Sequence, residues 1–330
     1  MSLKEDINYS LWCDFIERDF LENRFQEIIK DETIQGATSN PAIFESSISN
    51  SVAYKQQLDM LQANNAKTIY EELALTDIKR AAQLLLDLHR NDADDGFISI
   101  EVDPLLCDDA QGTIEEGLRL YASISADNVM IKVPATEAGY IAMRELTSRG
   151  IHVNATLIFS PTQAIKCAQA LNEGIIESNK DIKAVVSVFV SRFDRMCDNE
   201  FLAKGLESSK LGIINATKCY HEINKLKNKN IRTLFASTGV KGNELAPSYY
   251  IDNLIFPNSV NTAPLATIED WLKDGLQVET EIMSEEKCNE YFANLEDKKI
   301  NMEKVYNDLL TQGLDAFKIS FKDLLSKLIN

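Results

Sequence analysis

Hydrophobic positions along this chain switch between two periods. Short runs dense in β-branched and aromatic residues fall at 9–14 (YSLWCD), 33–39 (TIQGATS), 97–102 (FISIEV), 128–134 (NVMIKVP), 151–159 (IHVNATLIF), 184–190 (AVVSVFV) and 231–237 (IRTLFAS), with a weaker one at 258–262 (NSVNT). Several are apolar at nearly every position, the mark of parallel strands covered on both faces. Between them the period lengthens to that of a helix. Residues 78–90 place Ile78, Ala81, Ala82, Leu85, Leu86 and Leu88 on one stripe, and similar stripes predict helices at about 114–125, 137–149, 161–177, 193–207 and 216–226. Eight such alternations predict the α/β class and a closed (β/α)8 TIM barrel with additional N- and C-terminal helices. The alternative, an open doubly wound sheet, usually carries fewer strands, and its dinucleotide-binding form opens with G-x-G-x-x-G, which is absent here.

From about 284 to 330 the pattern changes. That tail is rich in Lys, Asp, Glu, Asn and Leu and has no strand signal; it is expected as a helical extension packed on the outside of the barrel. No Pro-, Gly- or Ser-rich linker, repeat or low-complexity tract interrupts the chain, so residues 1–330 are expected to form a single domain.

Composition narrows the function. Hydrophobic residues make up 45% of the 330, enough for a large core. Acidic residues outnumber basic ones 51 to 34, a formal charge of -17, which disfavours nucleic acid and anionic lipid as partners. An anionic small molecule would need a few cations to overcome that background locally. No stretch approaches 18 uninterrupted apolar residues, and the opening MSLKEDINYS lacks the apolar region of a secretory leader. The six cysteines include no C-x-x-C pair, so reduced thiols in a cytoplasmic protein are expected. H-E-x-x-H, G-x-S-x-G and the phosphate loop G-x-x-x-x-G-K-[ST] are all missing. The three histidines, His89, His152 and His221, look structural.

Catalytic groups of such barrels gather at the C-terminal ends of the strands, and this chain places polar residues there run after run. Asp14 ends the first; Thr38, Ser39 and Asn40 end the second; Glu101 and Asp103 end the third. Lys132 sits in the fourth, Asn154 and Thr156 in the fifth, Ser187 and Arg192 in or after the sixth, and Ser237 after the seventh. Lys132 is the sharpest of them, flanked by Val129, Met130, Ile131, Val133 and Pro134. A lysine in such surroundings snorkels, pairs with Glu101 or Asp14, or serves as an amine nucleophile; the polar residues on the neighbouring strand ends favour the last. Schiff-base chemistry also needs proton transfers, for which two carboxylates and a hydroxyl such as Thr156 are suited. Asn40 reads as an Asn-Pro turn that also sets an amide at the barrel mouth. Arg192 suits bidentate phosphate binding or a pair with Asp194 or Asp198. The loop Ser237, Thr238, Gly239 and Lys241 lies where these barrels often bind phosphate.

These segments resemble one family. GATSNPAIF (36–44) is similar to the transaldolase signature around a substrate-binding asparagine, and VMIKVPATEAG (129–139) to the one containing the Schiff-base lysine. IEVDP (100–104), NATLIFS (154–160), VSVFVSRFD (186–194), ASTGVK (236–241) and VNT (260–262) follow in the family's order, and the resemblance spans roughly residues 8–265, closest to the longer bacterial transaldolases. It implies that Lys132 attacks a ketose carbonyl, that Asp14 moves the proton during C–C cleavage, and that Glu101 and Thr156 hold a catalytic water. Asn40, Asn154 and Ser187 would line the pocket, and Arg192, Ser237 and Lys241 would bind phosphate, Lys241 where some transaldolases use arginine. The implied reaction moves a dihydroxyacetone unit from sedoheptulose 7-phosphate to glyceraldehyde 3-phosphate, without cofactor or metal. Ala37, Ala42 and Tyr140 depart from the commonest pattern at positions that imply altered packing rather than lost activity.

Two rivals remain at this level. Fructose 6-phosphate aldolases are shorter relatives with the same lysine, a glutamine for the glutamate and a tyrosine for a phenylalanine; Glu101 and Phe189 place this chain with the transaldolases. A non-catalytic barrel used for binding is opposed by the intact set Asp14, Asn40, Glu101, Lys132, Thr156 and Arg192. A homodimer is left open.

Overall fold

The computed structural model describes residues 3–242 and 244–328. Eight parallel strands close into a barrel in chain order: β1 (Ser10–Cys13), β2 (Gly36–Thr38), β3 (Phe97–Glu101), β4 (Val129–Pro134), β5 (His152–Ile158), β6 (Ala184–Phe189), β7 (Ile231–Ala236) and β8 (Ser259–Ala263), the last returning to pair with β1. Each lies inside its expected run or within one residue of it. A short α1 (Leu3–Ile7) precedes the barrel. Helices α2 (Arg18–Glu22) and α3 (Arg24–Lys30) join β1 to β2, and α4 (Pro41–Asn50), α5 (Lys55–Leu61) and α6 (Ala66–Asn91) join β2 to β3. Then α7 (Ala110–Ile124), α8 (Glu137–Ser148) and α9 (Pro161–Ser178) each connect one strand to the next. Helices α10 (Ser191–Ala203) and α11 (Leu211–Asn224) follow β6, α12 (Tyr249–Asp252) follows β7, and α13 (Leu265–Asp274), α14 (Glu285–Asp297) and α15 (Met302–Lys327) follow β8.

Helix α6 starts twelve residues before the stripe expected from residue 78. Asn65 explains the early start: its Oδ1 accepts the Thr68 amide at 3.0 Å, and Ile69, Tyr70, Leu73 and Ala74 are already buried. The same device starts α4, where Asn40 Oδ1 accepts the Ile43 amide at 3.0 Å and Pro41 opens the helix.

Strand side chains alternate between the two faces, so one parity of each strand looks into the barrel. The inward set changes character with height. Trp12, Phe97, Met130, Val185, Leu234 and Val260 form one buried apolar cluster that fills the middle. On every one of these strands but β7, where Ala236 follows, the residues two further along are polar: Asp14, Ser99 and then Glu101, Lys132, Ser187 and Thr262. At the N-terminal end β7 contributes a buried arginine, Arg232. It donates to Asn8 O and Ser259 O, both at 2.7 Å, to Ser10 Oγ at 2.9 Å and to Asp94 O at 3.2 Å. Ser10 in turn holds Asp95 at 2.8 Å. His89 and His152 also lie near this floor, against Phe97. The outer shell of the core packs the remaining strand parity against the helices.

The tail departs from the expected exterior packing in its last helix. Helix α14 does lie on the outside, against α11, with Lys218 Nζ on Asn289 Oδ1 at 2.6 Å. Helix α15 crosses the barrel mouth instead. At one end Tyr306 meets the Phe193 ring and donates to Asn215 Oδ1 at 3.1 Å. At the other Phe321 packs edge-on to Tyr70, their centroids 5.3 Å apart, and Lys327 pairs with Glu45. Its buried stripe, Leu309, Gly313, Phe317, Phe321 and Leu324, covers the C-terminal rim. An amphipathic stripe states that a helix has a partner but not which surface the partner offers, so the sequence did not distinguish the flank from the mouth.

Candidate active site

The strand ends converge on one cavity of about 400 Å³ at the C-terminal mouth. Lys132 rises into it from β4. Parallel register sets Lys132 directly between Glu101 on β3 and Asn154 on β5. Its Nζ donates to the Ser39 carbonyl at 3.1 Å and lies 3.6 Å from Glu101 Oε2, with both side chains almost fully buried. Ser39 is itself fixed, donating from its hydroxyl to Ser99 O at 2.8 Å.

Two carboxylates flank the amine in different settings. Burial pushes the Glu101 carboxyl up to about 7; Lys132 draws it down and Asp14 adds a smaller upward push. Asp14 is also raised by burial, opposed by Lys132 and by the Thr38 hydroxyl, which donates to Asp14 Oδ1 at 2.6 Å. Thr38 and Thr262 share a further hydrogen bond at 2.8 Å, tying β2 to β8 beneath the aspartate. Carboxyls raised by burial beside an amine are suited to passing protons in both directions.

On the other side, Asn154 is locked by two contacts. Its Nδ2 donates to Ser99 Oγ at 3.0 Å, and its Oδ1 accepts from Ser187 Oγ at 2.6 Å. Beyond it the pairing of β5 with β6 shifts register between Ala155 and Ile158, with Leu157 at φ 58°. Asn154 and Thr156 share one strand face and both line the cavity, while the bulge turns Leu157 into the cluster under α15. Among the described residues, neither Thr156 Oγ1 nor Glu101 Oε2 has a hydrogen-bond partner, although both are buried. Two such atoms beside a buried lysine amine are available for a water or a ligand hydroxyl.

The far side of the cavity is cationic. Arg192 opens α10, and its guanidinium lies 4.9 Å from the centroid of the Phe189 ring. Burial, with Arg195 nearby, lowers its pKa to about 10, so it stays charged at neutral pH. Arg195 and Lys241 line the same wall, with Ser191, Ser237 and Gly239. Ser237 sits at φ 56°, which turns the chain out of β7, and its hydroxyl lies 3.1 Å from that of Ser191. Among the described residues none of Arg192, Arg195 and Lys241 forms an ion pair. The pairing considered for Arg192 with Asp194 or Asp198 is not made: Asp194 accepts from Gly212 N and from Tyr250 Oη, both at 2.9 Å.

All ten residues singled out from the sequence are at this mouth. Nine line the cavity and Glu101 lies beside Lys132, its Oε2 3.6 Å from Nζ. Asp103 is the strand-end residue that points elsewhere, to Lys67 at 2.7 Å. The sequence reading missed Thr262, Arg195 and Phe317. Arg195 had a signal, since it follows Arg192 by three residues on one helix face. Thr262 lay inside a segment matched only as a motif. Phe317 had none: it comes from α15, and its ring face lies 5.8 Å from Lys132 Nζ.

The chain is similar to known proteins along nearly its whole length. The family model described as Transaldolase/Fructose-6-phosphate aldolase matches residues 11–328. A protein of Campylobacter jejuni strain 81-176 named Transaldolase is 47% identical over 332 aligned residues, covering 97% of this chain and 99% of its own. A Helicobacter pylori strain Shi470 protein of the same name is 49% identical, covering 96% of this chain and 98% of its own.

Proposed function

The chain belongs to the transaldolase/fructose-6-phosphate aldolase family, and on that premise we propose how its barrel mouth performs the transaldolase reaction. That reaction moves a dihydroxyacetone unit from sedoheptulose 7-phosphate to glyceraldehyde 3-phosphate and yields erythrose 4-phosphate and fructose 6-phosphate, a step of the non-oxidative pentose phosphate pathway. The observation that carries the assignment is the placement of Lys132, a buried amine between two carboxylates at one end of a cavity whose other end holds three cations.

The phosphate of the donor sugar is held by Arg192, Ser237 and Lys241, with Arg195 added from the geometry. This local positive charge offsets the repulsion that a net charge of -17 exerts on an anionic sugar. Asn40, Asn154 and Ser187 bind the sugar hydroxyls. The Lys132 amine attacks the C2 carbonyl, and the resulting carbinolamine loses water to give the Schiff base. Glu101, with a carboxyl near 7, exists in both protonation states at neutral pH. It therefore delivers a proton to the departing hydroxyl through a water held with Thr156 and later takes one back. Asp14 accepts the proton of the C4 hydroxyl as the C3–C4 bond breaks. The electron pair of that bond passes into the nitrogen-conjugated system, and the aldose leaves. The three-carbon unit stays on Lys132 until an aldehyde enters, when the same steps run in reverse with Asp14 returning the proton. No metal or redox group takes part in these steps.

We also propose that residues 1–330 act as one domain and that the enzyme works in the cytoplasm. The test of function is glyceraldehyde 3-phosphate release from fructose 6-phosphate, with and without erythrose 4-phosphate. Release only with the acceptor is expected. Release that ignores the acceptor would make the chain an aldolase, and no release in either case, with no borohydride-trapped adduct on Lys132, would remove the Schiff-base reading.

A further inference from the structure

We propose that the N-terminus of α13, together with the Thr267 hydroxyl, binds the phosphate of the sugar and faces the cationic wall from the β8 side of the cavity. The inference rests on the phosphate reading of Arg192, Ser237 and Lys241. It adds one side chain and a set of backbone donors to which neither the motifs nor the charges pointed.

Three observations carry it. Thr267 is only 8% exposed, yet it lines the cavity, and among the described residues its hydroxyl has no hydrogen-bond partner. A helical threonine commonly turns its hydroxyl back to the carbonyl four residues earlier. Here that carbonyl, Ala263 O, takes the Asp14 amide at 2.8 Å, and the Thr267 hydroxyl is left for the cavity. Second, α13 starts without a side-chain cap: its N-cap residue is Pro264, and the first amide bonded is that of Ile268, to Pro264 O at 3.0 Å. The amides of Leu265, Ala266 and Thr267 therefore have no acceptor among the described residues, while Pro264, Ala266 and Thr267 all border the cavity. Free amides at the positive end of a helix are donors for an oxyanion. Third, the loop that carries Ser237 and Lys241 touches this helix end. A Cβ on Gly239 would lie 3.2 Å from Pro264 Cγ and 3.4 Å from Thr267 Oγ1, so an anion seated on the loop can turn an oxygen to the α13 donors. Neutral donors also suit this side. A further cation there would sit close to Asp14, whose amide is bonded to Ala263 O, and would oppose the upward push of burial on that carboxyl.

The experiment compares wild type with Thr267→Val, Thr267→Ser and Ala266→Asp, with Arg192→Ala as the reference. Valine keeps the shape of Thr267 without its hydroxyl. Ala266 is exposed in the first turn, where an aspartate favours the helix but repels an anion. The readouts are Ki for inorganic phosphate against fructose 6-phosphate, KM and kcat, with KM deciding if phosphate alone does not inhibit. Thr267→Val is expected to raise Ki and KM about tenfold with a smaller change in kcat, and Thr267→Ser to restore most of the wild-type values. Ala266→Asp should raise both about tenfold or more with no loss of stability in urea, a pairing that a purely structural role does not produce. Ki and KM within about twofold of wild type in both Thr267→Val and Ala266→Asp overturn the proposal, as does a fall in kcat with KM unmoved. If Thr267→Val does not fold by circular dichroism, Ala266→Asp decides by the same constants. Arg192→Ala separates the two readings. If it raises KM while the α13 variants do not, only the share of α13 is lost; if it too leaves KM unchanged, the phosphate lies elsewhere and both readings fall.

Discussion

Replacing Glu101 by glutamine should flatten the dependence of folding stability on pH by an amount the structure sets. Burial raises this carboxyl from an unfolded value of 4.5 to about 7. A group whose pKa is raised on folding stabilises the native state while protonated in it, so its contribution is complete below about 4.5 and is lost as pH rises through about 7. The full span is roughly 3.4 kcal/mol at about 1.4 kcal/mol per unit. Between about pH 5 and pH 8 the two titration curves leave roughly 2.5 kcal/mol of that change. Glutamine keeps the shape and lacks the titration. The attraction between Lys132 and the ionised carboxylate is already contained in the folded value of about 7, so it adds nothing further to the difference. Other carboxyls raised by burial, Asp14, Asp77, Asp95 and Asp194, titrate in both proteins and largely cancel. The assay is urea unfolding of wild type and Glu101→Gln at the two pH values. The stability of wild type relative to the variant should fall by about 2.5 kcal/mol from the lower to the higher pH. If the two proteins change in parallel to within about 0.5 kcal/mol, Glu101 is ionised through the whole range and its assignment as a two-way proton carrier at neutral pH fails.

Other outcomes follow from the same geometry. Lys132→Met should fold, give no borohydride-trapped adduct and turn over at background; substantial residual transfer would remove the nucleophile assignment. Arg192→Ala should raise KM for fructose 6-phosphate about ten- to hundredfold with a smaller change in kcat, as expected for losing a charge-assisted contact of about 1.5–3 kcal/mol; an unchanged KM would place the phosphate elsewhere. Gly313→Val puts a branched side chain where even a Cβ comes within 3.0 Å of Leu157 and 3.3 Å of Arg192. It should cost about 1–3 kcal/mol in urea unfolding and raise KM, and a variant with native stability and KM would show that α15 is not held against the rim.

The parts of this molecule legible in the sequence are those set by local period. β4 and β6 stood out because both faces of a barrel strand are covered, so NVMIKVP and AVVSVFV are apolar almost throughout and a lone lysine within one of them is conspicuous. β8 was weaker because Ser259, Asn261 and Thr262 break its apolar run, each engaged in a hydrogen bond at either end of the barrel or beside it. The first three turns of α6 were missed because its start depends on the Asn65 cap more than on its stripe. Contacts made by distant segments had no local trace. Thr38 meets Thr262 across 224 residues of chain, and Phe317 reaches Lys132 only because α15 turns across the mouth. The sequence recorded that this helix has an apolar side; three-dimensional packing alone decided that the side would roof Lys132.

The arginine buried at the N-terminal end of the barrel has a kinetic meaning. With Arg232 bonded to Asn8, Ser10, Asp94 and Ser259 and an apolar plug of Trp12, Phe97 and Met130 above it, traffic through the axis of the barrel is closed. Donor and acceptor sugars must then share a single doorway, already narrowed by α15, and the first aldose has to clear it before the second can approach. The order of events, one product out before the next substrate in, is thus imposed by plumbing as much as by the covalent chemistry proposed for Lys132.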